Sequence, residues 1–206
     1  MISQTANEGY TEMLTEVELR RLYLESNLSA LQIAALFSCS AHKVNYWMQR
    51  YGIEKRTISE AVYVRQNPNG DPFKIKAIET IPEAELFGIG LGLYWGEGNK
   101  KNKWSIKLGN TDPALLKIFM DFLIDLFGAK KSKFRFTLQI FTDIDSKEAL
   151  EYWVHALGVD IWQFGKPTVT ISGSIGTYRQ KSRYGVVTVC YHNKKLRDIL
   201  VSMLPR

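Results

Sequence analysis

The chain has 206 residues, of which 45% are hydrophobic and 12% aromatic, so it can build a buried core and wholesale disorder is excluded. Its 27 lysine and arginine residues outnumber its 21 acidic residues, and the resulting net charge of +6 admits nucleic acid as a partner. All of the excess lies in residues 71–206, which carry 20 basic and 14 acidic side chains, whereas residues 1–70 carry seven of each.

The first predicted domain, residues 10–65, is wholly helical. Three amphipathic stretches, each opened by a serine or threonine that can cap a helix, predict helices over about 15–25, 29–37 and 40–51. A tight Ser-Cys-Ser turn separates the second helix from the third, and Val44 and Trp47 are expected on the inner face of the third. This is the pattern of a helix-turn-helix domain.

The stretch LSALQIAALFSCSAHKVNYWMQRYGI resembles the helix-turn-helix of transposase, resolvase and sigma-like proteins. The resemblance implies that the third helix enters the major groove of DNA. Its base-contacting residues would be Ala41, His42, Lys43, Asn45, Tyr46 and Gln49, and its phosphate-contacting residues Ser40, Arg50 and Arg56. A trihelical interaction module with a solvated polar face would show the same apolar pattern, and that alternative stays open.

Residues 66–80 are predicted to be a linker, because the segment QNPNGDPF combines prolines, a glycine and asparagines. The second domain then covers residues 81–206. It begins with an apolar helix that has Pro82 in its first turn, a permitted position, and that contains the stretch LFGIGLGLYWGEG. The rest of the domain is organised around this helix.

Glycines recur in this helix every four residues, at Gly88, Gly92 and Gly96, and positions four apart share one helix face. Each glycine costs a helix roughly 1 kcal/mol relative to alanine, so the stripe requires a compensating close contact. Glu97 follows in the last turn, where its charge opposes the helix dipole. Gly98 is expected to adopt the left-handed cap conformation. From spacing alone, an ordinary buried helix with a solvated terminal acid is the alternative.

Beyond the glycine helix, alternation and capping signals predict strands over about 103–108, 133–141, 166–172 and 186–191, with helices over 112–128, 145–157 and 193–204. One face of the resulting sheet is apolar. The other face lacks acids, which favours a polyanion as partner. It presents Lys103, Lys107, Lys133, Arg135, Gln139, Lys166 and Thr170, and the loop between the last two strands adds Arg179, Lys181 and Arg183.

The stretch GLGLYWGEG resembles the LAGLIDADG motif of homing endonucleases, with Gly92 and Gly96 on its small interface positions, Glu97 on its acidic position and Gly98 on its final glycine. The later stretch NTDPALLKIFMDFLIDLFG is similar to the helix that follows the motif in that family, so the resemblance covers about residues 82–206. The helix over 145–157 is an addition to the family's pattern. The motif itself departs at Gly90, Leu91 and Trp95.

The resemblance implies an α+β chain, in which the trihelical domain is followed by an αββαββα domain with a mixed or antiparallel saddle-shaped sheet. It also implies a Mg²⁺ ion held by Glu97 and the backbone of Gly96, with Lys166 or Lys103 assisting catalysis. Because the chain has only one motif, a homodimer through the Gly88–Gly98 helix is expected, with Gly88, Gly92 and Gly96 at its interface.

We therefore expect a sequence-specific protein that binds double-stranded DNA and cleaves its phosphodiester bonds with Mg²⁺ as a dimeric, single-motif LAGLIDADG-type endonuclease. A non-catalytic transcription regulator that keeps the fold for docking is the alternative, and RNA processing is a third, weaker option. The two cysteines and three histidines have no zinc-ligand spacing. With no signal-peptide pattern, we expect a cytoplasmic protein, nucleoid-associated if bacterial or archaeal, with neither a membrane partner nor a small-molecule substrate.

Overall fold

The computed structural model describes residues 14–171 and 182–205, and the chain divides into two compact units, Met1–Asp71 and Pro72–Arg206. Within the described residues the chain is α+β, with eight helices and one four-stranded mixed sheet. None of these helices is both long enough and apolar enough to span a membrane.

The division between the units falls inside the predicted linker 66–80, but most of that segment is built into one unit or the other. Gln66 is the last residue of a helix in the first unit. The backbone N–H groups of Lys74 and Lys76 donate to the carbonyls of Phe127 and Leu126 at 2.9 and 2.8 Å, so this stretch belongs to the second unit.

From residue 14 onward, the first unit contains four helices: α1 (Glu16–Arg20, continued by a π-helical turn over Arg21–Glu25), α2 (Ala30–Leu36), α3 (Ala41–Arg50) and α4 (Ile58–Gln66). Thr15, Ser29 and Ser40 cap the first three, as their sequence positions predict. The sequence analysis did not predict α4, which has no buried residue and therefore no apolar face to mark it.

The core of the first unit is built by the inner faces of α1, α2 and α3. Val44 and Met48 are fully buried in it, whereas Trp47 is only partly buried and stacks on Tyr51 with ring centroids 5.4 Å apart. Trp47 packs against the margin of this core, so the expected inner position is confirmed for Val44 and only partly met by Trp47. Met48 takes the inner position because it lies four residues after Val44 on the same helix face.

The second unit contains α5 (Ile81–Glu97), β1 (Ile106–Asn110), α6 (Pro113–Phe127), β2 (Phe134–Phe141), α7 (Ser146–Leu157), β3 (Thr168–Thr170), β4 (Val186–Tyr191) and α8 (Lys194–Met203). The order of its described elements is αβαβαββα, so the implied αββαββα order is wrong in two places. A single strand stands between α5 and α6, and α7 stands between β2 and β3. The amphipathic α7 forms because Asp145 caps it and Trp153 is buried among the core side chains.

The sheet has the strand order β1-β4-β2-β3, with β4 antiparallel to both neighbours and β2 parallel to β3. Alternation in β2 is complete up to its last residue, because Phe134, Phe136, Leu138 and Ile140 are buried and the residues between them are exposed. This apolar face packs against the helices, and strands and helices share one hydrophobic core. Helix α6 contributes seven buried side chains to it.

Three predicted strand starts are displaced. The first strand begins at Ile106, since Trp104 is 62% exposed and Ser105 only 2%, the reverse of the predicted alternation. The Asn102 side chain causes this, because its Oδ1 accepts the backbone N–H groups of Trp104 and Ser105, both at 2.9 Å, and holds a turn. Lys133 lies in a 3₁₀ turn and Lys166 precedes β3, so Lys103, Lys133 and Lys166 are not on the sheet face.

Candidate functional site

The glycines of α5 have two kinds of surroundings. Gly90 lies against α6, where an added Cβ would collide with the ring of Phe122. Gly88, Gly92 and Gly96 are exposed, and a Cβ at any of them would find no atom within 4 Å beyond the helix itself. Of these four glycines, only Gly90 therefore has a close contact within the chain that can offset the cost of glycine in a helix.

The exposed glycines lie on an open apolar face of α5. Ile89 and Trp95 belong to the same face and are 50% and 55% exposed. We call this surface the glycine face, defined by Gly88, Ile89, Gly92, Trp95 and Gly96. Half-exposed aromatic and branched side chains beside bare backbone are typical of surfaces that another molecule covers.

Glu97 is the last residue of α5 and is exposed. In the described part of the chain, no hydrogen bond or ion pair holds its carboxylate. Counted at about 100° per residue, Glu97 is turned roughly 140° from Gly92 around the helix axis, so its side chain points away from the glycine face. Two copies of α5 that packed in parallel through this face would bring their C-terminal ends together, with one Glu97 on the outer side of each.

The chain leaves α5 directly into the sheet. Gly98 forms a bridge with Leu108 of β1, and the N–H of Asn99 donates to the carbonyl of Lys107 at 2.9 Å. The φ angle of Gly98 is −70°, so the expected left-handed cap is wrong. Glycine is required at this position for space, since a Cβ would collide with the ring and carbonyl of Tyr94.

The turn after Glu97 is hydrogen-bonded to the first and to the last helix of the second unit. Lys100 Nζ donates to the carbonyl of Trp95 at 2.6 Å, and Arg197 of α8 donates to the carbonyl of Lys100. Lys100 is therefore the lysine whose ammonium contacts the end of α5, a role that the sequence analysis did not assign to it. Its signal was available, because it stands three residues after Glu97.

The two lysines predicted to assist catalysis are placed differently. Lys103 is exposed in the turn that Asn102 organises. Lys166 precedes β3, the edge strand on the far side of the sheet from β1. Three inter-strand spacings, about 14 Å, separate β3 from β1, and the end of α5 joins β1. Within one chain, therefore, Glu97 and Lys166 are not brought together.

The second face of the sheet is open, and we call it the open face. Strand pairing arranges its residues in three rows across β1, β4 and β2 or across β4, β2 and β3. These rows are Lys107–Cys190–Arg135, Gly109–Thr188–Thr137 and Val186–Gln139–Thr168. None of the four described strands contains an acidic residue. Lys107, Arg135 and Gln139 therefore lie on this face as predicted, and Gln139 contacts Thr170 at 3.5 Å.

Cys190 and His192 lie at the basic end of the open face, with Cys190 Sγ 3.5 Å from His192 Nε2. Burial lowers the pKa of His192, and the charges of Lys107 and Arg135 lower it further. Burial raises the pKa of the Cys190 thiol. Both groups are therefore held in their neutral forms, which argues against an activated thiolate at this place.

Arg135 is fixed by three contacts. Its Nη1 donates to the carbonyls of Ser132 and Phe134 at 2.8 and 2.7 Å, and its guanidinium lies 4.7 Å from the ring centroid of Trp162. Trp162 belongs to a 3₁₀ turn, Ile161–Gln163, and is 56% exposed. The sequence analysis missed Trp162 because a three-residue turn has no periodicity to reveal which way its side chains face.

In the first unit, α3 exposes His42, Tyr46, Gln49 and Arg50, while Lys43 and Asn45 are partly buried. Arg50 Nη1 donates to the Tyr46 hydroxyl at 3.3 Å, which links two predicted DNA-contacting residues. The structure therefore places all six along one helix.

Arg56, which the sequence analysis assigned to phosphate, has a structural role instead. Its guanidinium donates to the backbone carbonyls of Tyr23, Asn27 and Leu28, and it lies 4.2 Å from the ring centroid of Tyr23. These contacts occupy most of its donors, so the expectation that it contacts phosphate was wrong. They join the segment between α3 and α4 to the turn between α1 and α2.

The basic loop before β4 is only partly described. Arg183 makes an ion pair with Glu148 at 3.8 Å and lies 5.2 Å from the ring centroid of Tyr184. Its charge is therefore partly offset by an acid of α7. The other two predicted loop residues, Arg179 and Lys181, lie outside the described residues.

Across residues 14–171 and 182–205, no three histidine, cysteine, aspartate or glutamate side chains come together as a potential metal site. Each chain thus offers the single Glu97 carboxylate at the end of α5, beside an acid-free sheet face. The chain matches no protein-family model, no curated protein and no solved structure, so its function has to be argued from this arrangement of residues.

Proposed function

We propose that the protein binds double-stranded DNA sequence-specifically and cleaves it as a Mg²⁺-dependent homodimeric endonuclease. One observation carries the proposal. Helix α5 combines an uncovered glycine face with an unpaired Glu97 at its end, at the point where the chain joins the edge of an acid-free sheet. A partner surface, a metal-binding acid and a docking surface for a polyanion are thereby adjacent.

The open face supplies the DNA-docking surface. Lys107 and Arg135 give it positive charge, and the threonine and glutamine side chains that the strands present on this face offer both hydrogen-bond donors and acceptors. A solvated sheet face usually carries both signs of charge, whereas this one carries a single sign. An extended, singly charged polar surface suits the phosphates and base edges of a duplex.

The glycine face supplies the dimer contact, and its occupant is a second copy of α5. Gly88, Gly92 and Gly96 offer bare backbone to a partner, and a two-fold axis through the face would set each glycine stripe against the same stripe. Ile89 and Trp95 would be covered in the same contact. If the two helices are parallel, their C-terminal ends would meet, so that each subunit holds one Glu97 at the same end of the dimer, which implies a palindromic or nearly palindromic DNA site.

Glu97 and the backbone carbonyl of Gly96 would hold the Mg²⁺ ion together with the scissile phosphate. The donors fit, because Mg²⁺ prefers oxygen ligands and the C-terminal end of a helix carries free carbonyls and a partial negative charge. The ammonium of Lys100 already contacts the Trp95 carbonyl at this end. When bound, Mg²⁺ polarises a phosphoryl oxygen and lowers the pKa of the attacking water.

Helix α3 of the first unit supplies a second, separate DNA contact. Its exposed polar residues match the outward positions of a recognition helix. Because residues 1–70 have no net charge, we expect a modest affinity from this unit alone. Its role in the proposal is to extend the recognised sequence and to lengthen residence on it.

The test is cleavage of a library of duplexes taken from the genomic flanks of the gene, with Mg²⁺ and with EDTA. Wild type should cut with Mg²⁺, and Glu97→Gln should bind the same DNA without cutting it. Glu151→Gln is the matched control, since Glu151 is an exposed glutamate of α7 and lies outside the glycine face. Binding without cleavage by wild type would exclude the endonuclease activity and support the non-catalytic transcription regulator.

A further inference from the structure

We infer that Arg135, held in place by Trp162, reads a guanine base in each half of the DNA site. The inference deepens the proposed function and rests on its claim that duplex DNA docks on the open face. It starts from the contacts of one side chain, because Arg135 differs from the other basic residues of this face in being fixed before any partner arrives.

The donors of Arg135 are divided in a way that leaves one edge of the guanidinium available. An arginine has five N–H donors. The two on Nη1 are taken by the carbonyls of Ser132 and Phe134. Within the described residues, no protein group accepts from Nε or Nη2. These two adjacent nitrogens form the side edge of the guanidinium, which matches a pair of neighbouring acceptors such as O6 and N7 of guanine.

Trp162 fixes the plane of this edge. Its ring lies against the guanidinium at 4.7 Å, while 56% of the residue stays exposed. Together with the Nη1 hydrogen bonds, the ring limits the rotamers of the Arg135 side chain before DNA binds. Less conformational entropy is then lost on binding than for a mobile arginine. An arginine restrained in this manner discriminates between bases more sharply than a mobile one, because its side chain cannot move to reach an acceptor at a different position.

The free edge of Arg135, and not its place in the sheet, assigns it to a base. Arg135 ends the row Lys107–Cys190–Arg135, because β3 pairs with β2 only from Gln139 to Phe141. A guanine presents its O6 and N7 acceptors in one plane, which suits two donors whose plane is already fixed. Lys107, at the other end of the row, has a flexible ammonium without paired donors and is then the phosphate contact of that row.

Selection from a randomised duplex library tests the inference with wild type, Arg135→Lys and Trp162→Ala. Wild type should select a G·C pair at one position in each half-site. Arg135→Lys keeps the charge but loses the paired donors, so the preference should disappear at that position alone, with affinity for the selected site lower by roughly ten- to hundredfold. Trp162→Ala should weaken the same preference, and Trp162→Phe should largely restore it.

The control is Lys147→Ala on α7, which removes an exposed charge away from the open face and should change neither preference nor affinity. An unchanged preference in Arg135→Lys, or an equal loss of affinity for every sequence in Arg135→Ala, would overturn the guanine contact; the second result would make Arg135 a phosphate contact. Failure of wild type to bind any duplex would instead overturn the proposed function, and the inference with it. Circular dichroism of each variant checks that the fold is intact.

Discussion

Gly90 of α5 lies directly against the aromatic ring of Phe122 on α6, and no side chain fits between them. Gly90→Ala should therefore force the ring aside and destabilise the second unit by about 1–3 kcal/mol, the usual cost of overpacking. Gly88→Ala, two residues away, meets no atom of its own chain, so in a monomer made by Gly92→Leu it should stabilise the helix by about 0.5–1 kcal/mol. Chemical denaturation of both variants makes the comparison, and equal effects would contradict the two-sided arrangement of α5.

The glycine face should decide the oligomeric state. An added Cβ at Gly92 meets no atom beyond its own helix, so Gly92→Leu should fold but should separate the two copies of α5. Light scattering should show a dimer for wild type and a monomer for this variant. A monomeric wild type at micromolar concentration, or a dimeric Gly92→Leu, would refute the proposed interface.

The salt dependence of DNA binding should report the phosphate contacts of the open face. The logarithm of the binding constant falls linearly with the logarithm of the salt concentration, and each lost phosphate contact reduces the slope by about 1. Lys107→Ala should reduce the slope in this way while leaving the preferred sequence unchanged. Fluorescence anisotropy at several salt concentrations measures the slope, and an affinity independent of salt would exclude docking by charge.

Arg56 should matter for stability of the first unit and not for the salt slope. Arg56→Met leaves the partly buried carbonyls of Tyr23 and Leu28 without their donor, and an unsatisfied buried group costs about 1–3 kcal/mol, whereas the exposed Asn27 carbonyl can bind water instead. Hydrogen exchange of the amides in α1 and α3 should therefore accelerate. A variant that kept wild-type exchange but lost affinity for DNA would restore Arg56 as a phosphate contact.

The acid sensitivity of the second unit should depend on Glu83. Its hydrogen bond with Lys76, followed by those from the N–H groups of Glu79 and Thr80, lowers its pKa from 4.5 to about 2. A carboxyl group with a lowered pKa contributes stability that is present above pH 4.5 and is lost as the pH falls through about 2. Glu83→Gln should flatten the pH dependence of unfolding in this window.

Tryptophan fluorescence can follow that unfolding, since four of the five tryptophans belong to the second unit. Glu85→Gln, on the same helix, serves as the control and should retain the wild-type pH profile. A wild-type unfolding midpoint that stayed constant from pH 4.5 down to 2 would contradict the assignment.

Helices and the apolar side of the strands could be predicted from the sequence because capping residues and alternation are local signals. Ser29 and Ser40 each cap the helix they were expected to open, and Asp145 caps the helix predicted over 145–157. The α+β class is confirmed, and β2 follows its predicted alternation. The strand that should have begun at Lys103 failed because the Asn102 side chain competes with strand pairing, which hydrophobic periodicity does not register.

The candidate site was less predictable because it depends on contacts between distant segments. The sequence singled out the glycines of α5 but could not separate Gly90 from the three that remain uncovered, since only the position of Phe122 distinguishes them. In the same way, Arg56 could be recognised as basic but not as already bound to carbonyls 28 to 33 residues earlier. The DNA, metal and dimer assignments stay predictions that the experiments above decide.

The position of Gly90 on the side of α5 opposite to the glycine face has a thermodynamic consequence. In the proposed dimer, the Phe122 ring of one chain and the partner helix would be separated only by the bare backbone of α5, a cylinder of about 2.3 Å radius. The two hydrophobic cores would then be nearly continuous across the symmetry axis. Dissociation and unfolding would merge into a single transition, whose midpoint rises with protein concentration.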